Sequence, residues 1–414
     1  MSTKRLLQAL RTQEVETPAF VYDEVQLADD ARLAKDAIAG DRTHLLFAMK
    51  SFSVPGGLRA IASAVDGFHA SSLFEARLAR DVLGWRGVVH LTTPGIRPGD
   101  ADDLFHLCDH VSFNSLSQWE QFRDQAAGVT SSGLRVNPRL SNVADERYDP
   151  CSRHSKLGAS VDDVAAILRT EPHRLDGIKG LLFHTNCDAL DTTPLLETVR
   201  YLDRMIEPLL DQLDWIDLGG GYLFHGAEAS EGIEGRLPWQ NRARRTPDLD
   251  GLHAALDLLR AKYHMNIYLE PGASVSRRGG AFVASVVDLF QSSGRTVAVL
   301  DTSVNHMPEV LEFQFAPDVL GDLERGGHPY ILAGATCLAG DVFGEYAFAE
   351  RLALGSRVII PDMGAYSMVK ANMFNGVNLP SIYALEEDGT LALQRTYTYD
   401  DFLARAGGGH YVHP

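Results

Sequence analysis

Short apolar runs recur along the first two thirds of the chain, each closed by a polar or glycine-rich stretch and then followed by a segment with helical periodicity. From residue 40 they are LLFAM ahead of Lys50, GFHA ahead of Ser71, VVHL ahead of Thr92 and HVSF ahead of Asn114. GLRV ahead of Asn137, IKGLLF ahead of His184, DWIDL ahead of Gly219 and MNIYL ahead of Glu270 complete the series. Runs of this length bounded by turn signals predict buried strands. Between the sixth and seventh, Leu195, Leu196, Val199, Leu202, Ile206, Leu209, Leu210 and Leu213 fall at spacings of three and four and predict an amphipathic helix. Ser115 followed by Gln118 predicts a capping box at a helix start. Eight strand-then-helix units over roughly 230 residues predict a (β/α)8 barrel, an α/β fold, with an open doubly wound sheet as the alternative.

After about residue 275 the pattern changes to AFVASVVDLF, TVAVLD, PYILAG and SRVIIPD, β-rich runs without matching helices. AFVYD (Ala19–Asp23) reads as a strand that pairs with this later part and brings the termini together. The expected organisation is a barrel over 24–275 and a β-rich domain made of 1–23 with 276–414. Gly226–Asp250, long and polar, reads as a surface loop or partly ordered insertion.

Composition narrows the function. With 38 Lys and Arg against 55 Asp and Glu, the net charge of −17 opposes a grip on nucleic acid or anionic membrane and attracts a small cationic substrate. Cys108, Cys151, Cys187 and Cys337 show neither CxxC nor regular spacing, which fits a reducing cytoplasm and argues against a zinc knuckle or disulfide framework. The N-terminal MSTKRLLQALRTQEVETP lacks a signal-peptide core, and no run reaches membrane-spanning length. No metal site is expected, since no His, Asp and Glu stand at ligand spacing along the sequence.

Barrel chemistry sits where strands end at the C-terminal face. Lys50 ends the first run, at the solvent rim or in the mouth, where it would serve as a Schiff-base nucleophile. His184 ends the sixth in FHTNCD, placed to stack on a planar cofactor, to act as acid or base, or simply to hold structure. Gly219, Gly220 and Gly221 in DLGGGY let backbone N–H groups approach a phosphate, and LEPG places Glu270 and Gly272 at the same mouth. An amine, an imidazole face, a glycine loop and a carboxylate together suit pyridoxal 5′-phosphate. Lys50 would take the aldehyde, Gly219–Gly221 with Gly272 the phosphate, and Glu270 the pyridine nitrogen. A carboxylate partner keeps that nitrogen protonated and the ring a strong electron sink, as decarboxylation needs.

The strings that bear on this run nearly the whole chain: TPAFVYD, FAMKSFS, ASSLFEARL, FNSLSQWE, LRVNP, YDPC, FHTNCD, DLGGGY, LEPG, LDTS with HMPEVLEF, GATCLAGD and DMGAYSMVKANMFNGVNLP. With them the chain resembles the pyridoxal-phosphate-dependent decarboxylases of the alanine-racemase-like barrel fold, which include ornithine, arginine and diaminopimelate decarboxylases. The ASSLFEARL, NSLSQWE, TCLAGD and FNGVNLP blocks resemble its carboxynorspermidine/carboxyspermidine decarboxylase branch most. The resemblance implies a head-to-tail homodimer with shared active sites, Cys337 of the neighbouring subunit donating the proton that replaces CO2, and Tyr366 bonding the cofactor phosphate. It places Asp301, His306 and Glu309 at the distal end of the substrate, with Glu312 close behind. Asp341 either orients the Cys337 loop or binds a substrate amine. Ser71, Ser72 and Arg135 are supporting groups near the cofactor. Where the branch carries an HxLCE-like string and a DTS…CHMPDVLEMPY run, this chain has FHTNCD and DTSVNHMPEVLEFQF, so Asn186, Asp188, Asn305 and Phe313 stand near the implied substrate end.

The expected function is decarboxylation of a carboxylated polyamine, carboxynorspermidine or carboxyspermidine. Decarboxylation of diaminopimelate, ornithine, arginine or a siderophore-type carboxylated diamine is the alternative. A non-catalytic polyamine-pathway regulator is the reading from another class, opposed by the presence of both Lys50 and Cys337.

Overall fold

A computed structural model of the chain describes residues 2–141, 143, 148–225, 246–313, 316–323 and 326–408. Most of the polar Gly226–Asp250 segment, and the side chain of Phe313, lie outside the described part. Two compact units share the chain: one draws on Met1–Leu27 and Ser276–Pro414, the other on Ala28–Gly226 and Thr246–Val275.

The second unit is the barrel. Its strands are Thr43–Ala48, Gly67–Ala70, Val88–Thr93, His110–Phe113, Ser131–Asn137, Gly180–Leu182, Trp215–Asp217 and Asn266–Leu269. Each pairs in parallel with the next, and the last pairs back with the first, so the sheet closes without an edge. These are the eight runs read from the sequence. Two glycines make room for the filling of the barrel: a Cβ on Gly180 would lie 1.9 Å from the Trp215 ring and one on Gly133 2.4 Å from it. Trp215 Nε1 donates to Ser131 Oγ at 2.9 Å. Around it stand the rings of His90, His110 and Tyr268, so the interior is an aromatic and imidazole stack where aliphatic layers are usual.

The periodic leucines form the helix Thr193–Leu210, with Leu195, Val199, Leu202, Ile206, Leu209 and Leu210 buried. Ile206 leaves helical φ/ψ ahead of Pro208, which lacks the N–H an interior turn uses, and Leu213 lies beyond the helix end. The cap at Ser115 differs from a reciprocal box. Ser115 Oγ accepts the Gln118 N–H at 3.1 Å, but Gln118 Oε1 reaches one residue further back, to the Asn114 N–H at 2.7 Å. Ser72 and Glu75 repeat the arrangement: Ser72 Oγ accepts the Glu75 N–H, and Glu75 Oε2 accepts that of Ser71. Each pair pins a loop leaving the mouth of the barrel onto the following helix.

The first unit is a mixed sheet with strand order Val342–Phe348, His328–Ala333, Arg295–Leu300, Gly280–Ser292, Ala19–Asp23, Ser381–Leu385 and Leu391–Arg395; Arg357–Pro361 also pairs with Gly280–Ser292. The N-terminal strand is central. It runs antiparallel to Gly280–Ser292, Ala19 opposite Val283, and parallel to Ser381–Leu385, Ala19 opposite Ser381. The terminus ahead of it forms a helix, Ser2–Thr12, which the sequence reading left unassigned; it buries Leu6, Leu7 and Leu10 against Val21, Val283 and Leu385. No described helix is long and apolar enough to cross a membrane.

Candidate active site

The first barrel strand ends in a single tight turn, Met49–Ser51, whose outer residues are buried while Lys50 points outward. Lys50 opens on a cavity of about 320 Å³ whose walls include His69, Arg135, His184 and Glu270. Four of the eight strand ends contribute to those walls through Lys50, Arg135, His184 and Glu270, which the sequence reading assigned, and His69 adds a fifth.

His184 is fixed by the glycine loop. The Gly220 N–H donates to His184 Nδ1 at 3.0 Å, which leaves the ring proton on Nε2. Burial first, then the charges of Lys50 and Arg135, hold its pKa well below the ordinary value, so the ring is neutral near pH 7. A neutral, oriented imidazole suits stacking better than proton exchange. Behind it, the buried Cys151 thiol donates to the His184 carbonyl at 3.5 Å and is pushed up to about 12 by burial.

Glu270 belongs to a buried cluster. Asp217 hydrogen-bonds to it, and the cluster continues to His90, whose Nδ1 lies 3.1 Å from Asp217 Oδ2; His69 Nε2 is 3.1 Å from Glu270 Oε1, out of line for a hydrogen bond. Desolvation, then the Asp217 charge, raises Glu270 well above the carboxylate range, and burial raises Asp217 to about 6. His90, lowered by burial to about 3, is neutral. Two carboxylates this close, out of water, hold a proton between them. His90, Asp217 and Glu270 are also the group of potential metal ligands that the fold draws together among the described residues, where the linear spacing showed none.

These residues fit pyridoxal phosphate. Glu270 Oε1 is buried with no hydrogen-bond partner among the described residues, as required of a group that awaits a ring N–H. The glycines make a tight seat: a Cβ on Gly220 would lie 2.2 Å from the Glu270 carbonyl oxygen and one on Gly272 2.9 Å from Ser51 Oγ. Gly219 and Gly221 have φ of +69° and +81°, open to glycine without strain. One detail departs from the expected phosphate loop. The Gly219 N–H already binds Asp217 Oδ1 at 2.8 Å and that of Gly220 binds His184, so two of the three amides organise the site itself.

Most of the remaining sequence-assigned residues lie in the β-rich unit. Cys337 is exposed, with its S–H and N–H both directed at Asn375 Oδ1. Asp341 is buried and committed: Oδ1 accepts the Val304 N–H at 2.8 Å, and Oδ2 accepts from the Thr336 N–H and hydroxyl. Asp301 accepts the Thr17 hydroxyl at 2.6 Å and the Ser285 N–H at 2.8 Å. His306 is buried, with Nδ1 2.8 Å from Thr302 Oγ1. Glu312 and Glu309 meet Lys370 Nζ at 2.5 and 3.6 Å, and the same ammonium lies 5.5 Å from the Tyr366 ring centroid. Asn305 donates its N–H and Nδ2 to Ser303 Oγ, while in the barrel Asn186 is buried and Asp188 takes a φ of +46°. Sequence reasoning missed His69, His90, Asp217 and Asn375. The first two are the polar members of GFHA and VVHL, and Asp217 stands two residues ahead of Gly219 in DWIDL, so a polar residue inside an otherwise apolar run was the available signal.

Residues 19–364 match the family described as "Pyridoxal-dependent decarboxylase, C-terminal sheet domain". Among curated proteins, the chain is 33% identical to a carboxyaminopropylagmatine decarboxylase of Synechocystis, covering 97% of this chain and 98% of that one. It is 29% identical to a carboxynorspermidine/carboxyspermidine decarboxylase of Campylobacter jejuni, over 95% and 99% of the two chains. Among solved structures, carboxynorspermidine decarboxylase from Campylobacter jejuni, complexed with norspermidine, superposes with a TM-score of 0.80 at 28% identity, covering 94% of this chain and all of that one. A diaminopimelate decarboxylase from Helicobacter pylori, at 18% identity and a TM-score of 0.79, shares the fold. With the lysine, the glycine seat and the buried glutamate already in place at the mouth of the barrel, the chain belongs to the pyridoxal-dependent decarboxylases.

Proposed function

We propose that this enzyme removes the α-carboxylate of a carboxylated polyamine of the carboxynorspermidine and carboxyspermidine type, in the cytoplasm, as a head-to-tail homodimer with shared active sites. The observation that carries the chemistry is the buried Glu270, paired with Asp217 behind it and lining the same cavity as Lys50. The substrate class is supported by near full-length relatives that act on carboxylated polyamines, against 25% identity or less for the diaminopimelate decarboxylases. The reducing compartment is supported by four cysteines spread along the chain with neither CxxC nor regular spacing.

Bound pyridoxal phosphate supplies the electron sink for the pair left when the Cα–CO2 bond breaks. Lys50 provides the amine that anchors it, Gly221 and Gly272 line the seat, and Tyr366 is assigned to its phosphate. Glu270 holds a proton at the ring nitrogen, with Asp217 and His90 fixing where that carboxyl sits. His184 presents its neutral face and keeps water from one side of the cavity. Cys337, from the partner subunit, gives its thiol proton to the carbon that has lost CO2; the overall change replaces a carboxylate with hydrogen and consumes one proton. Glu309 and Glu312 are assigned to a distal ammonium, with Lys370 occupying them in its absence, while Asp301, His306 and Asp341 shape the loops around them.

Apolar side chains exposed beside the assigned residues support the dimer: Leu338 next to Cys337, Phe374 next to Asn375, and Phe74 in the first turn of the helix that follows Ser71 and Ser72. CO2 release against carboxynorspermidine, carboxyspermidine, meso-diaminopimelate, ornithine and arginine in parallel tests the substrate. Preference for the first two supports the reading, and preference for a simple diamino acid overturns it. Mixing Lys50→Ala and Cys337→Ala subunits in equal amounts tests the sharing: the mixture is expected to regain about a quarter of wild-type activity, since about half of the dimers are hybrids and one of the two sites in each hybrid is intact, whereas no recovery rules out a shared site.

A further inference from the structure

The thiol of Cys337 is held by one side chain. Asn375 Oδ1 accepts the Cys337 backbone N–H at 3.0 Å and its S–H at 3.1 Å. Asn375 lies in the left-handed region at φ +56°, followed by Gly376 at φ +72°, a conformation that Asn tolerates because its short polar side chain bonds nearby groups. The turn that carries it is anchored in its own right. Asn372 Oδ1 accepts the Phe374 N–H at 3.1 Å, and the Asn372 N–H reaches the Asn305 carbonyl at 3.1 Å. On the other side of the thiol, Asp341 gathers Thr336 and Val304, so the residue preceding Cys337 is fixed as well. An exposed cysteine on a loop ordinarily samples several χ1 rotamers. Here a single acceptor, itself held in a left-handed turn that Asn372 anchors through two hydrogen bonds, selects one.

We infer that Asn375 is a positioning residue for proton transfer, holding Cys337 in the rotamer from which Sγ hands its proton to the substrate carbon. The inference rests on the assignment of Cys337 as the donor. In that step the S–H bond breaks, a C–H bond forms, and the thiolate left behind regains a proton from solvent. A thiol out of place leaves the carbon waiting. With pyridoxal phosphate bound, a proton delivered to the cofactor in place of the substrate carbon would, after addition of water, give a carbonyl product and pyridoxamine phosphate.

Asn375→Gly deletes the acceptor while keeping a residue for which positive φ costs nothing, so the turn survives; Asn375→Asp keeps an oxygen in the same place. Both are compared with Cys337→Ala in the holoenzyme with the preferred carboxylated substrate, and pyridoxamine phosphate formed per turnover is measured by chromatography. A second readout needs no turnover: the rate at which iodoacetamide alkylates Cys337 in the resting holoenzyme, followed by peptide mass. The expected result is that Asn375→Gly raises pyridoxamine phosphate per turnover on the order of tenfold, with KM unchanged, and alters the alkylation rate of Cys337, while Asn375→Asp restores partition toward wild type. Wild-type partition and alkylation in Asn375→Gly, alongside diversion in Cys337→Ala, would overturn the role of Asn375 alone. Wild-type partition in Cys337→Ala would remove the donor assignment and this inference with it.

Discussion

The mouth of the barrel and the Cys337 loops handle protons in opposite ways. At the barrel mouth the groups are buried and coupled: Glu270 and His69 are at most 5% exposed, Asp217 is fully buried, and burial pushes the carboxyls up and the imidazoles down. In the β-rich unit Cys337, the proposed donor, is exposed and held by one amide, while the acidic residues nearby are tied into the unit's own loops. The difference teaches where each kind of control is useful. A group that must keep one protonation state through a reaction gains from desolvation and a fixed partner. A group that must release and regain a proton each cycle gains from contact with solvent and only a directional restraint.

The largest effect is expected from the barrel. Lys50→Ala should abolish the long-wavelength absorbance of lysine-bound pyridoxal phosphate and lower kcat by roughly 10³-fold or more; an unchanged spectrum would detach the cavity from the chemistry. Next comes Glu270→Gln, which keeps the shape of the carboxyl but cannot hold the ring proton as an anion. A loss of roughly 10²-fold in kcat is expected with cofactor still bound, and full activity would mean that the buried pair serves only the fold.

A smaller effect sharpens the other side of the comparison. Asp341→Asn replaces one of two accepting oxygens by an NH2 that faces donors already present. If Asp341 orients the loop, stability falls by about 1–3 kcal/mol and partition toward pyridoxamine phosphate rises; if it binds a substrate amine, KM rises with stability unchanged. Urea denaturation with steady-state kinetics on one preparation separates the two.

Much of the barrel was legible because each of its strands is a local apolar run, and a run announces itself without knowledge of its partners. The lysine, histidine, glycines and glutamate were legible because a parallel barrel puts functional groups at strand ends. The β-rich unit was less so. Ser381–Leu385 forms in the sheet because Ala19–Asp23, far away in sequence, lies beside it, and Val342–Phe348 contains Gly344 at a φ of +145°, which weakens any local strand signal. The helix Ser2–Thr12 is unassigned in the sequence reading because its charges mask three leucines whose burial depends on the sheet. His90 and Asp217 escaped notice for a related reason: they lie over a hundred residues apart, and only closure of the barrel makes them neighbours.

The smallest effect concerns pH, and it sets one histidine from each unit side by side. His306 is lowered to about 4 and His90 to about 3, both chiefly by burial, from an ordinary value of 6.5. For a histidine with a depressed folded pKa, the unfolded chain binds a proton below 6.5 that the native state refuses. Its contribution is therefore complete above 6.5 and is lost as pH falls, at no more than about 1.4 kcal/mol per pH unit, until the folded value is reached. Beside His90 the raised Asp217 works in the opposite sense, since between its ordinary 3.8 and about 6 the native state holds a proton that the unfolded chain does not. His306 has Asp341 near it as a charge that partly restores its proton affinity, but its ring remains buried with Nε2 unpartnered among the described residues. His306→Asn is thus expected to be less stable than wild type at pH 8 and yet to lose less of its remaining stability between pH 6.5 and about 4. Urea midpoints across that range test the point: parallel pH profiles for the two proteins would show that His306 is already charged in the native state, and that proton control by burial does not extend to the β-rich unit.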